Sequence, residues 1–105
     1  MKTSELNGDA LDWAVAKCEG GWILDIASFI PHHSIGRMRF STDWAQGGPI
    51  IERDGIALYL YGDGQWNAHT GGKEFNGPTP LIAAMRCYVA SKLGDEVDVP
   101  EGICQ

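Results

Sequence analysis

The sequence predicts an α+β fold, a mostly antiparallel sheet with two long flanking helices, and three observations carry that expectation. Apolar residues recur at three- and four-residue spacing in two stretches, one ending before Gly20 and one beginning after Pro80. Two short runs, Ile56 to Tyr61 and Gln65 to Thr70, are joined through Gly62-Asp63-Gly64 and suit an antiparallel hairpin. A further run, Trp22 to Phe29, is apolar on both alternating faces, as a strand covered from both sides would be. The two arrangements expected are an α/β/α sandwich and a two-layer sheet with both helices on one face, and the two-sided Trp22 to Phe29 run favours the sandwich.

The first helix is expected from Glu5 to Glu19, where Leu11, Ala14, Val15 and Cys18 form one stripe that Leu6 and Ala10 extend backwards. Asn7 or Asp9 supplies its cap, and Gly20-Gly21 stops it. Pro31 to Gly48 shows no sustained period and is the longest irregular stretch, the kind of segment that displays binding groups on a rigid scaffold. Gly47-Gly48 then reads as a turn into a short helical piece with Pro49 at its first position, ending at Asp54-Gly55. After the hairpin, Thr70 to Pro78 reads as a glycine-rich loop. Thr79-Pro80 is a helix start, Leu81, Ala84, Met85, Tyr88, Val89 and Lys92 share a face, and Gly94 is the stop. Residues 1–94 are expected to form one domain and 95–105 a loosely attached acidic tail.

Length and composition agree with one core. The chain has 105 residues, 44% hydrophobic and 21% charged, well inside the globular range and far from disordered compositions. A net charge of −6 repels polyanions at long range, so duplex nucleic acid is not an expected partner, although arginines can still hold a compact phosphate locally. Cys18, Cys87 and Cys104 are odd in number and widely spaced, which points to reduced thiols of a cytoplasmic protein and to neither a disulfide framework nor a zinc ribbon. The segment MKTSELNGDALDW has no signal-peptide character, and no stretch reaches the roughly 20 apolar residues of a membrane span.

Several constellations have a plainer reading beside the functional one. His32-His33 with Asp43 have metal-ligand chemistry, but adjacent histidines on an extended segment point apart, so an exposed loop is expected and no metal or other cofactor is assigned. Cys18 and Cys87 lie on apolar helical faces and read as packing residues; Cys104 belongs to the tail. Asp25, Asp43 and Glu52 show no spacing that makes two carboxylates converge. Gly62-Asp63-Gly64 and Gly71-Gly72 read as turns, since neither opens a helix in a phosphate-cradling motif.

The stretch with most promise is Arg37-Met38-Arg39-Phe40-Ser41-Thr42-Asp43-Trp44, because guanidinium forks, hydroxyls and an indole together can hold a phosphate and stack a base. The structural alternative has Ser41 or Thr42 capping the next turn, Asp43 complementing a helix dipole and Trp44 filling the core. Arg53 and Arg86 join a ligand site only if the fold brings them there. The candidate ligand-binding set is Arg37, Arg39, Ser41, Thr42, Asp43, Trp44 and Arg53.

Three blocks in order, LNGDALDWAVAKCEG, STDWAQGGPIIER and GPTPLIAAMRCYVASKLGDEVDVP, make the chain resemble the NinX-type family of lambdoid and related phage proteins. The resemblance spans nearly the whole chain, with WILDIASFIPHHSIGRMRF as its most individual part. It implies a phage or prophage origin, expression in the bacterial cytoplasm and a fold similar to phage α/β/α-sandwich proteins. It implies no particular chemistry.

The function expected is therefore a non-enzymatic phage accessory protein, a binding module that engages a host or phage protein, with homo-oligomerisation allowed. One alternative is a sponge for a small nucleotide ligand, a signal used by bacterial anti-phage defence. Another is a small hydrolase or nuclease acting through Asp43, Glu52 and one histidine with a divalent metal.

Overall fold

A computed structural model describes residues 1–19 and 39–99 of the chain. The strand expected over Trp22 to Phe29, the His32-His33 pair, Arg37 and Cys104 lie outside these described residues. Within them the class is α+β as expected, with three α-helices and a three-stranded antiparallel sheet.

Helix α1, Gly8–Cys18, follows a separate 3-10 turn at Thr3–Glu5, so the single helix expected from Glu5 is broken at Leu6. Asn7 supplies the break: its extended backbone leaves the helix, and its side chain accepts from the Gly8 N–H at 2.9 Å. Leu6 still enters the core beside Ala10, Leu11, Ala14 and Val15.

Helix α2, Trp44–Asp54, corrects the expected start at Pro49. Asp43 caps it by accepting from the Ala45 N–H at 2.9 Å, and the Asp43 carbonyl receives the Gln46 and Gly47 N–H groups. Pro49 sits inside the helix, where it forfeits one backbone hydrogen bond. Gly55, with φ of 65°, ends the helix in the left-handed conformation, as Asp54-Gly55 suggested.

Strands β1, Ala57–Leu60, and β2, Trp66–Thr70, form the expected hairpin, pairing Ala57 with His69 and Leu60 with Trp66. A third strand, β3, Lys73–Gly77, replaces the loop expected over Thr70 to Pro78 and pairs Thr70 with Lys73 and Trp66 with Gly77. Gly71 and Gly72 make this possible: both have positive φ, 55° and 78°, the geometry of a two-residue hairpin turn. The run KEFNG has no β-branched residue, so pairing with β2, and not local propensity, makes it a strand.

Helix α3, Pro80–Leu93, begins as expected, with the Thr79 hydroxyl accepting from the Ile82 N–H at 3.1 Å and Pro80 at the first helical position. It is not a one-faced helix. Nine of its 14 residues are buried, including Ile82, Ala83, Cys87 and Ala90 outside the expected stripe, whereas Lys92 is exposed. The sheet lies against one side of α3, and α1 and α2 pack against it as well. Glycine permits the closest approaches: a Cβ on Gly77 would stand 2.9 Å from the Ala83 nitrogen.

The residues just after α3 are tied to the N-terminus. Val97 is buried and exchanges hydrogen bonds with Met1 at 2.9 and 3.0 Å, while Thr3 donates to the Asp95 carbonyl at 2.8 Å and to the Gly94 carbonyl at 2.7 Å. Residues 94–97 thus lie against Met1 and Thr3.

Gly47 gives a stability test whose sign is opposite to helix propensity. A Cβ there would lie 2.5 Å from the Phe40 carbonyl oxygen and 2.6 Å from Leu81, whereas at Gly48 the nearest atom is on Trp44 at 3.8 Å. Gly47→Ala is expected to destabilise by about 1–3 kcal/mol through overpacking. Gly48→Ala is expected to stabilise by up to about 1 kcal/mol. Urea unfolding of both variants checks the pair.

Candidate functional site

The site is built by a turn that three contacts hold rigid. The Thr42 and Asp43 N–H groups donate back to the Arg39 carbonyl at 3.2 and 2.8 Å. The Arg39 N–H donates to the Gln46 side chain at 2.8 Å, tying the turn to α2. The Ser41 N–H donates to the carboxylate of Asp12 at 2.8 Å, tying it to the buried face of α1. Asp12 is only 2% exposed, and a hydrogen bond to a buried carboxylate contributes about 1.5–3 kcal/mol.

Held this way, Ser41, Thr42 and Trp44 face the start of α3 across a concavity of about 220 Å³ whose other walls are Thr79, Pro80, Leu81 and Ile82. Its floor is apolar, three hydroxyl-bearing residues line it, and the Trp44 indole is 52% exposed beside it. Ser41 is 1% exposed, and its hydroxyl has no hydrogen-bond partner among the described residues, an arrangement that costs about 1–3 kcal/mol. Trp44 and Pro80 are the first residues of α2 and α3, so two helix N-termini, each with partial positive charge, meet here.

The structure divides the residues singled out from sequence. Ser41, Thr42 and Trp44 line the concavity; Asp43 spends its carboxylate on the α2 cap; Arg39 is exposed beside the turn. Trp44 therefore does not fill the core. Arg53 is ten residues from Asp43 on the same helix, about 15 Å along its axis at 1.5 Å per residue, and does not reach the concavity. Glu52 is exposed at that same far end, so Asp43 and Glu52 do not converge on one centre. Among the described residues, no three His, Cys, Asp or Glu side chains gather in a way that would hold a metal ion. Arg86 donates to the carbonyls of Leu6 at 2.8 Å and Asn76 at 3.0 Å, a structural task.

Arg53 instead pins three helices together. Its guanidinium forks onto Glu19, the C-cap of α1, at 2.8 and 3.1 Å, and lies over the Tyr88 ring of α3 at 5.7 Å. The Tyr88 hydroxyl also donates to Glu19. Burial pushes the Cys18 thiol up to about 12 and also raises Cys87, whose Sγ donates to the Lys73 carbonyl at 3.3 Å, so both fit the packing role expected of them.

Sequence reasoning missed the far wall of the concavity, since Thr79 to Ile82 were legible only as a helix start. It also missed a polar cluster on the sheet face opposite α3. There Asn67 donates to Tyr61 at 2.8 Å and to Glu74, His69 stands 3.3 Å from Glu74, and the Tyr59 ring meets His69 edge-on at 5.4 Å. The hydrogen bond from Asn67, first, holds the Glu74 carboxyl below its usual range. The alternation of Tyr59 with Tyr61 and of Asn67 with His69 was the available signal, but Glu74 needed β3. A wider groove of about 490 Å³ runs beside β3 past Lys2, Lys73 and Asp95, and there Lys73 is already paired with Asp95 at 3.3 Å.

The Arg53 anchor has a pH signature. Hydrogen bonds from Arg53, the largest cause, lower the Glu19 carboxyl from its ordinary 4.5. A folded-state value below the unfolded one adds stability above pH 4.5 that is lost as pH falls through the lowered value. Wild type is expected to exceed Glu19→Gln by up to about 1 kcal/mol at neutral pH, because the pair is partly exposed. Urea unfolding at stepped pH should show that margin closing in acid; a margin unchanged at about pH 3 would assign it to packing.

No curated protein sequence matches the chain. A family model described as Bacteriophage P22, NinX matches residues 2–92, a span that runs from the turn before α1 to the last turn of α3 and includes every wall of the concavity. Among the described residues no helix is long and apolar enough to cross a membrane. The chain therefore belongs to the NinX family of bacteriophage proteins.

Proposed function

We propose that this NinX-family protein is a non-enzymatic accessory protein of the phage that acts in the host cytoplasm by binding a host or phage protein, with the concavity between the 39–44 turn and α3 as its anchor point. The observation that carries this reading is the half-exposed Trp44 beside the small concavity lined by Ser41, Thr42 and Thr79 to Ile82. A half-exposed tryptophan beside a small apolar pocket is the form that binding hot spots take. At about 220 Å³ the concavity is below the roughly 300–1,000 Å³ of small-molecule sites, and it suits one side chain of a protein partner. Thiols raised by burial and carboxylates separated along α2 support a binding role over catalysis.

One observation favours the nucleotide-sponge reading as second: the two helix N-termini beside the concavity suit a phosphate. It has less support, because Arg53 is committed to Glu19 and the volume admits only part of a nucleotide.

Trp44→Ala and Ser41→Ala separate binding from folding. Trp44→Ala is expected to keep wild-type stability within about 0.5 kcal/mol, since Trp44 is half exposed, and Ser41→Ala to match or exceed it by up to about 1–3 kcal/mol, since it removes a buried hydroxyl without a partner among the described residues. A tagged full-length chain expressed in infected cells should recover at least one protein about tenfold more strongly than Trp44→Ala does. Equal recovery by a folded Trp44→Ala would remove the concavity as the contact site. Saturable quenching of Trp44 by cyclic or ADP-ribose-type nucleotides, absent in Trp44→Phe, would shift the assignment to the sponge.

A further inference from the structure

On the sheet face opposite α3, side chains from the end of β1, from β2 and from β3 meet at one point. The Asn76 carbonyl is turned to Arg86 at 3.0 Å and not to β2, so Asn67–Asn76 and, two residues along, His69–Glu74 are non-hydrogen-bonded pairs, the positions where opposite side chains stand closest. His69 Nε2 accordingly lies 3.3 Å from the Glu74 carboxylate oxygen Oε2. Asn67, two residues before His69 on the same face, holds its carboxamide 3.3 Å from Nε2 and in hydrogen-bond contact with that same Oε2. The Tyr61 hydroxyl completes the group, 2.8 Å from the Asn67 carboxamide and 3.4 Å from Oε2.

Asn67 is buried and forms the base of this group, whereas the His69 and Glu74 side chains are 46% and 53% exposed and within reach of solvent. An imidazole nitrogen and a carboxylate oxygen are ligands of zinc, each at about 2.0–2.2 Å. Tetrahedral angles then set the donors about 3.3–3.6 Å apart. Nε2 stands at 3.3 Å from both Oε2 and the Asn67 carboxamide, so two edges of such a polyhedron are already built. A half-turn of the carboxamide about its last torsion puts its oxygen where Nδ2 stands and supplies a third ligand. The Asn67–Glu74 contact lengthens as the metal replaces the shared proton, and the fourth position is left to a water that the Tyr61 hydroxyl can hold. Glu74 is kept in its ionised form, the form that ligates.

We propose that His69, Glu74 and Asn67 form a surface site for one divalent metal ion of the zinc type, with its fourth position open to solvent. Among the described residues no third His, Cys, Asp or Glu stands with the His69–Glu74 pair, so the third ligand falls to Asn67. The donors select the class of ion. Imidazole suits zinc and its neighbours among the transition metals, whereas magnesium demands octahedral oxygen ligands and keeps its waters. A net charge of −6 adds a long-range attraction for any cation. This inference is independent of the concavity, which is lined by the 41–44 and 79–82 segments.

Calorimetric titration of the full chain with Zn2+, and separately with Mg2+, tests it in a Cys104→Ser background that takes away a competing thiol. A single Zn2+ is expected to bind and Mg2+ to give no binding heat. His69→Ala and Glu74→Gln should each weaken zinc by about tenfold or more. Both side chains are about half exposed, so both variants should keep the fold. Paramagnetic Ni2+ added to the nitrogen-15-labelled chain locates the ion: the amides of Asn67, His69 and Glu74 should broaden before those of His32 and His33. No zinc binding up to about 1 mM, an affinity unchanged by His69→Ala, or broadening centred on His32 and His33 overturns the proposal.

Discussion

The enclosure of α3 is the constraint on which the other elements depend. A helix that is apolar around most of its circumference is stable only when several partners cover it, and α3 is covered by the sheet, α1 and α2. Its large buried side chains, Leu81, Met85, Tyr88 and Val89, contribute about 1.5–3 kcal/mol each for the aliphatic members. Its alanines, Ala83, Ala84 and Ala90, let neighbours come close, and glycines answer from the other side, Gly77 from β3 against Ala83 and Gly47 from α2 against Leu81. Spacing between layers is set by these small residues. The concavity follows from it, since Thr79 to Ile82 are at once the start of the enclosed helix and one wall of the site.

Much of this architecture was legible in the residues. The Thr79-Pro80 start, the Gly55 stop and the β1–β2 hairpin each have a local chemical cause that a single sequence carries. What was not legible depended on distant partners. KEFNG becomes a strand because β2 offers it an edge, and Trp44 can open α2 because Asp43 caps it and Gly47 fits beneath Phe40. The full burial of α3 was hidden for a related reason: a stripe can be counted along one helix, but coverage from several sides is a property of what packs on it. The anchoring of Val97 by Met1, 96 residues away, has no local signature at all.

At the candidate site the structure gives the residues between Ser41 and Trp44 different positions. Asp43 caps α2, and Trp44 is half exposed beside the concavity. Arg53 is separated from them by the length of α2 and fixes the C-terminal ends of α1 and α2 to α3 through Glu19 and Tyr88. Helix α2 therefore has one end that holds the scaffold and one that borders the candidate site.

Native-state hydrogen exchange tests the central role of α3 most directly. If the enclosure of α3 holds the fold together, the amides of α3 and of Ala68 in β2 exchange only through global unfolding and share its free energy, while α2 opens at a lower one. Exchange of α3 amides through openings well below the global free energy, with α1 or α2 more protected, would contradict the account.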